Sequence, residues 1–146
     1  MQLNVKTSTD RKTLEKVAEE RLKDFEVLRT QERYTAAIYL GVYAVECLLK
    51  ARICKTLQLE KLPVTYRSHD LMALLLHSGV HQNIRSNPEV FTSLKKLSDL
   101  WNPAAEDRSV RYIHDPKRYG ERTAREVSDW LTHQSKGVAT WLQKQL

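Results

Sequence analysis

Arg108 and His114 are the residues whose types and spacing first suggest a reaction. Five residues separate them in the segment RSVRYIH. A histidine side chain accepts or donates a proton near neutral pH, and an arginine side chain keeps its charge and binds phosphate oxygens with a planar fork. Such a pair could transfer a proton and stabilise negative charge on a phosphate ester without a metal ion.

The spacing of this pair also has an ordinary explanation. With twelve Arg and five His in 146 residues, about one pair at four to six intervening residues is expected by accident. The alternative to a catalytic pair is therefore a solvated arginine and a solvated histidine in the same loop.

Positive charge is concentrated around the pair. The formal net charge of the chain is +6, and the segment from Arg108 to Arg125 holds six basic and two acidic residues, so about +4 of that charge lies there. These basic groups would bind a phosphate backbone in a way that weakens steeply as salt rises, whereas solubility is the other interpretation of the charge. The predicted phosphate-binding residues are Arg111, Lys117, Arg118, Arg122 and Arg125.

Glu46 is the only charged side chain in the apolar stretch 36–49. A carboxylate in so apolar a helix needs a partner. Lys50 lies one helical turn later, but Arg111 is the better bidentate match. We predict a structural ion pair between Glu46 and Arg111 that pins a long loop to the helices. The alternative is that Glu46 orients Arg111 or the histidine of the pair toward a phosphate.

Helical periodicity predicts the elements that position these residues. The first is an amphipathic helix after Thr9 and Asp10, and the second is a nearly all-apolar helix over 32–57. A short helix from Ser68 to Gly79 and a helix opened by Asn87-Pro88-Glu89 follow. A long connection over 102–120 then leads to a last helix over 122–146, which Gly137 can bend. We predict one all-α domain over 1–146, an antiparallel up-and-down helical bundle of four to five helices.

Composition argues against several other classes of protein. Cys47 and Cys54 lie seven apart within an apolar helical pattern, so we expect core thiols in a reducing compartment rather than a disulfide or a metal site. Residues 1–10 lack the apolar run of a signal peptide, and the apolar run 36–45 is too short to cross a bilayer. We therefore expect a cytoplasmic protein with no membrane association, no metal and no cofactor.

Other histidines and tyrosines have structural interpretations. We expect the ring of His69 to satisfy a backbone group at the start of a helix. His77, His81 and His133 are too scattered to suggest a metal site. The tyrosines at helical spacing, at positions 34, 39 and 43, are more typical of a core or a dimer interface than of base stacking.

Three stretches of the chain, taken together, resemble the HEPN superfamily of small all-α domains from bacterial and archaeal toxin and defence systems. The most specific is the string YAVECLLKA at positions 43–51. The others are Ser68-His69-Asp70-Leu71 and the stretch from Leu97 through Trp101 to Arg111-Tyr112. The resemblance spans the chain from about Arg33 to its last residue.

The resemblance implies a HEPN-like bundle of four or five helices that is commonly dimeric. Many members are metal-independent RNases with an Arg, a spacer of four to six residues and a His, a motif that Arg108 and His114 match. In that reaction the ribose 2′-hydroxyl loses a proton and attacks phosphorus, while the leaving 5′-oxygen gains one. We therefore expect a homodimeric endoribonuclease that acts on RNA as a toxin or antiviral defence effector.

The same resemblance leaves two alternatives open. Other members have lost the motif and serve as non-catalytic modules that bind a nucleotide, a nucleic acid or a partner nucleotidyltransferase. A purely structural dimerisation domain is the third possibility. A toxin would also be expected to have a cognate antitoxin as a separate chain.

Overall fold

The computed structural model describes residues 7–146 of the chain. The expectation about a signal peptide in residues 1–10 therefore falls mostly outside the described residues. The predicted all-α class is confirmed. The helices are α1 (Arg11–Thr30), α2 (Tyr34–Leu57), α3 (Leu71–His77), α4 (His81–Arg85), α5 (Pro88–Trp101), α6 (Glu121–Thr132) and α7 (Val138–Lys144). No helix in the described part of the chain is long and apolar enough to span a membrane.

Helix α2 is the centre of the bundle, as its apolar sequence predicts. It packs most extensively against α1, and it also contacts α3, α5, α6 and α7. Gly41 allows the closest approach, because a Cβ there would lie 2.6 Å from Leu131 Cδ1 and 3.0 Å from the ring of Phe25. The core is therefore built around one nearly all-buried helix.

Two helix starts follow local sequence signals, although the Asn87 side chain makes no capping hydrogen bond at the second. Asp10 begins α1 by accepting a hydrogen bond from the backbone N–H of Thr13 at 2.7 Å, and Pro88 occupies the first turn of α5. The start of α3 differs from the prediction, since Asp70 rather than Ser68 caps it by accepting from the N–H groups of Met72 and Ala73.

The helix count differs from the four to five expected because the predicted last helix is broken in two. Helix α6 ends at Thr132 and α7 begins at Val138. A Cβ at Gly137 would lie 2.6 Å from the backbone nitrogen and oxygen of His133, so the chain folds back tightly at this glycine instead of continuing as a helix. The short helix α4 was not predicted either.

A two-stranded antiparallel sheet, also not predicted, ties the start of α1 to the segment after α2. Its strands are β1 (Thr7–Asp10) and β2 (Lys61–Pro63). Next to it the N–H of Arg11 donates to the carbonyl of Glu60 at 2.7 Å. This pairing holds the segment that leads to His69 against the bundle.

The long connection over 102–120 has little regular structure, as predicted. It contains two short 3-10 helices, at Glu106–Arg108 and Val110–Tyr112. Thr35 at the start of α2 pins the connection, because its N–H donates to the carbonyl of Pro116 at 3.2 Å and its hydroxyl donates to the carbonyl of Asp115 at 2.7 Å.

Candidate functional site

His114 lies in a groove between the first turns of α2 and the connection before α6. The groove has a volume of about 300 Å³, and Arg33 and Arg111 line it together with the exposed His114. Tyr39 and several apolar side chains form the rest of its wall. The groove thus brings a histidine and two arginines together.

Arg108 is not among the residues that line this groove. It ends the first 3-10 helix of the connection and its side chain is exposed. Its catalytic pairing with His114 stays a prediction, and the arginines that share the groove with His114 are Arg33 and Arg111.

Arg111 is held in place by hydrogen bonds and by two aromatic rings. Its Nε donates to the hydroxyl of Ser109 at 3.2 Å and its Nη2 to the carbonyl of Trp101 at 3.4 Å. The guanidinium carbon lies 5.4 Å from the ring centre of Trp101 and 5.1 Å from that of Tyr112. These cation–π contacts and hydrogen bonds fix the orientation of the fork.

The predicted ion pair between Glu46 and Arg111 is wrong. The Glu46 side chain is 1% exposed, and its Oε1 accepts from Trp101 Nε1 at 3.1 Å while its Oε2 accepts from Lys50 Nζ at 3.1 Å. Arg111 packs instead on the ring and carbonyl of Trp101. Both predicted partners therefore contact the same tryptophan rather than each other.

His69 is the third partner of Glu46, which corrects the expectation that its ring satisfies a backbone group. Its Nδ1 lies 2.8 Å from Glu46 Oε1. Because a carboxylate only accepts, Nδ1 carries the hydrogen. The backbone near His69 is held separately, since Asn102 Nδ2 donates to the His69 carbonyl at 2.9 Å and Asn102 Oδ1 accepts from the N–H of Leu71 at 3.0 Å.

The His69 ring lies at a second cavity, of about 530 Å³, on the same side of α2. Lys50 and Arg67 also line this cavity, and no Asp or Glu in the described part of the chain does. Burial raises the pKa of Tyr43 to about 12 and the pKa of the Cys47 thiol to about 11. These two side chains in its wall are therefore neutral at physiological pH.

The remaining predicted phosphate-binding residues are exposed and mostly paired. Three of them face acidic groups: Lys117 with Glu32 at 3.9 Å, Arg122 with Glu126 at 3.3 Å and Arg125 with Glu121 at 2.9 Å. Arg118 lies over the ring of Tyr119 at 5.6 Å. Their role in binding RNA stays a prediction, and exposed pairs of this kind are weak enough to be exchanged for a phosphate.

Sequence reasoning missed Arg33, His69 and Trp101. A buried carboxylate at position 46 signals that donors must lie nearby, but it does not say which. Trp101 follows the apolar face of α5 and is typical of a core residue, so its N–H gave no separate signal.

Comparison of the chain with protein-family models, curated proteins and solved structures finds no match. The HEPN resemblance stays a prediction, so the chemistry of the groove can be inferred only from the residues that line it. Among residues 7–146, no group of three or more His, Cys, Asp and Glu side chains is placed to hold a metal ion.

Proposed function

We propose that this protein is a HEPN-type, metal-independent endoribonuclease that cleaves RNA in the groove around His114. The observation that carries the proposal is the shared groove, in which an exposed histidine lies with Arg33 and Arg111. Its volume of about 300 Å³ falls at the small end of the range for ligand sites. A phosphate and its flanking sugars are ligands of that scale.

The reaction needs two proton transfers and stabilisation of charge. His114 takes the proton of the ribose 2′-hydroxyl, and the 2′-oxygen then forms a bond to the adjacent phosphorus. The bond from phosphorus to the 5′-oxygen breaks, and that oxygen takes a proton from water or from a second histidine. Arg33 and Arg111 bind the non-bridging oxygens as negative charge grows on them. The products are a 2′,3′-cyclic phosphate and a 5′-hydroxyl.

A homodimer would supply the second histidine. Support for such an assembly comes from aromatic side chains near the groove, since Tyr39 is 36% exposed and Tyr112 is 56% exposed. Exposed aromatic groups beside a polar site are typical of surfaces that bind a partner. The biological setting we propose is a toxin or antiviral defence effector in the cytoplasm, held in check by a cognate antitoxin or a partner nucleotidyltransferase.

The reaction predicts which RNA is cut. Purified protein in excess chelator should cleave a single-stranded RNA oligonucleotide, but leave the same sequence intact when every ribose carries a 2′-O-methyl group, because that group removes the attacking hydroxyl. Mass spectrometry of the products should find cyclic phosphate and 5′-hydroxyl ends. Uncut RNA, or cleavage of the methylated control, would overturn the proposal.

A non-catalytic RNA-binding module is the second candidate. The observation that favours it is that the His114 ring has no hydrogen-bond partner within the described residues, so no hydrogen bond fixes its orientation. In that case wild type and His114→Ala would bind RNA equally and neither would cut it. RNA binding by the wild type and by His114→Ala should weaken as salt rises, and the slope of log affinity against log salt concentration reports the number of phosphates contacted.

A further inference from the structure

The Glu46 cluster is the most constrained polar feature outside the groove. Its carboxylate is 1% exposed and accepts from Lys50, His69 and Trp101. The Lys50 side chain is 13% exposed, whereas that of His69 is 60% exposed. The buried carboxylate therefore holds one cation and one imidazole at the wall of a cavity that opens to solvent.

Unused hydrogen-bonding groups line this cavity. The ammonium of Lys50 has three hydrogens, and Glu46 accepts one of them. Within residues 7–146, neither the guanidinium of Arg67 nor the Nε2 of His69 has a hydrogen-bond partner. Donors on Lys50 and Arg67, together with His69 Nε2, are thus available to a ligand in the same space of about 530 Å³.

The charge of the cavity selects the class of ligand. Among residues 7–146 its charged lining residues are Lys50 and Arg67, and the charge of Lys50 is balanced by Glu46, which it contacts at 3.1 Å. Tyr43 and Cys47 contribute no charge, because burial raises the pKa of both groups well above neutrality. A phosphate monoester carries a charge of about −1.5 to −2 at pH 7, so it gains more than a phosphodiester does from Arg67, from the remaining donors of Lys50 and from a protonated His69.

The cavity and the His114 groove lie along one face of α2. Helical spacing places four of its residues on the same stripe: Tyr39, Tyr43, Cys47 and Lys50. Tyr39 lines the groove, and the other three residues line the cavity. Positions 39 and 50 are eleven residues apart, which corresponds to about 16 Å along the helix. A few nucleotides of a single strand can cover that distance.

We propose that the cavity beside His69 binds the terminal phosphate monoester of an RNA strand whose following nucleotides lie in the groove. Lys50 and Arg67 donate to the phosphate oxygens, and His69 donates from Nε2 when its ring is protonated. Glu46 is a positioning residue that orients Lys50 and His69. Binding of the phosphate does not require that the protein cleave RNA. If it does cleave RNA, we also expect it to prefer RNA with a terminal phosphate, and this second expectation rests on the function proposed above.

Binding of non-cleavable RNA tests the phosphate site directly. Three 2′-O-methyl oligonucleotides of one sequence, carrying a 5′-phosphate, a 3′-phosphate or neither, are titrated by fluorescence anisotropy. At least one phosphorylated form should bind about tenfold more tightly than the unphosphorylated form, as expected for a charge-assisted hydrogen bond. The form that gains identifies the end of the strand that is read. Equal affinity of all three would overturn the inference.

Matched arginine variants locate the effect. Arg67→Gln should remove most of the preference for a terminal phosphate, whereas Arg85→Gln should keep it, because Arg85 is exposed on α4 and does not line the cavity. Both side chains are exposed, so both variants should keep the wild-type thermal midpoint. A preference that survives Arg67→Gln would mean that the phosphate binds elsewhere.

Cleavage assays keep this inference separate from the proposed function. If unmodified RNA is cut but the three 2′-O-methyl oligonucleotides bind equally, the phosphate site is wrong and the nuclease stands. If the phosphorylated oligonucleotides bind preferentially but no RNA is cut, the nuclease is wrong and the phosphate site stands. If both hold, the cut should fall a fixed, short distance from the phosphorylated end.

Discussion

His114→Ala is expected to slow RNA cleavage by at least about 100-fold, because general acid–base catalysis by one positioned side chain contributes about that factor or more. The substitution should leave the fold intact, since the side chain is exposed. Single-turnover cleavage of RNA in excess chelator, with the variant matched to wild type in thermal midpoint, measures the effect.

A second exposed histidine provides the control. His77 lies at the end of α3, its ring is 5.4 Å from that of Tyr66, and it does not line the groove. His77→Ala should therefore cleave RNA at the wild-type rate. Wild-type activity in His114→Ala, or an equal loss in His77→Ala, would contradict a catalytic role for His114.

Arg108→Gln tests whether the arginine that acts with His114 is Arg108, as the sequence spacing predicts, or whether Arg33 and Arg111, which line the groove, are sufficient. If Arg108 acts with His114, this variant should lose activity to a similar extent as His114→Ala. If Arg33 and Arg111 alone bind the phosphate, Arg108→Gln should retain full activity. Arg33→Gln is then the informative partner, because Arg33 lines the groove, whereas Arg111 also supports Trp101.

Local sequence signals were sufficient for most of the fold. The cap at Asp10, the proline in the first turn of α5 and the apolar run of α2 each act within a few residues, so they can be recognised without knowing the tertiary structure. Gly137 was recognised as a place where the last helix could bend, but the sequence did not show that the tight approach of Gly137 to the backbone of His133 breaks the helix in two.

The candidate site was predictable in position but not in its contacts. The basic connection before α6 was identified, and so was the need of Glu46 for a partner. The choice of partner depends on how α5 packs on α2, which places the Trp101 N–H rather than Arg111 against the carboxylate. Sequence spacing can propose pairs, but only packing decides which donor reaches a buried acceptor.

Trp101 links the two parts of the site. Its carbonyl and ring hold Arg111 in the groove, and its indole N–H donates to Glu46, which orients His69 at the cavity. The ring of Tyr39 also lies 5.3 Å from that of Trp101. A loss of order at Glu46 should therefore disturb both the groove and the cavity.

Glu46→Ala is expected to lower the free energy of unfolding by about 3–5 kcal/mol, the usual cost of removing one member of a buried charged pair. The alanine leaves the ammonium of Lys50 without its counter-charge in a largely buried position, and leaves the Trp101 N–H without its acceptor. Urea denaturation at neutral pH measures the difference. Glu46→Gln should cost less, about 1–3 kcal/mol, because its amide oxygen still accepts one hydrogen bond.

An exposed glutamate distinguishes this loss from the removal of any acidic group. Glu20 lies 3.0 Å from Lys23 on α1, and its side chain is 58% exposed, so Glu20→Ala should change the free energy of unfolding by less than about 1 kcal/mol. If Glu46→Ala is no more harmful than Glu20→Ala, the cluster is not a stabilising network. The expected result is a large loss of stability in Glu46→Ala alone, together with a cleavage rate per folded molecule of Glu46→Gln that is close to that of wild type. Such a result would mean that Glu46 stabilises the fold and positions Lys50 and His69, and that it takes no part in the chemistry at His114.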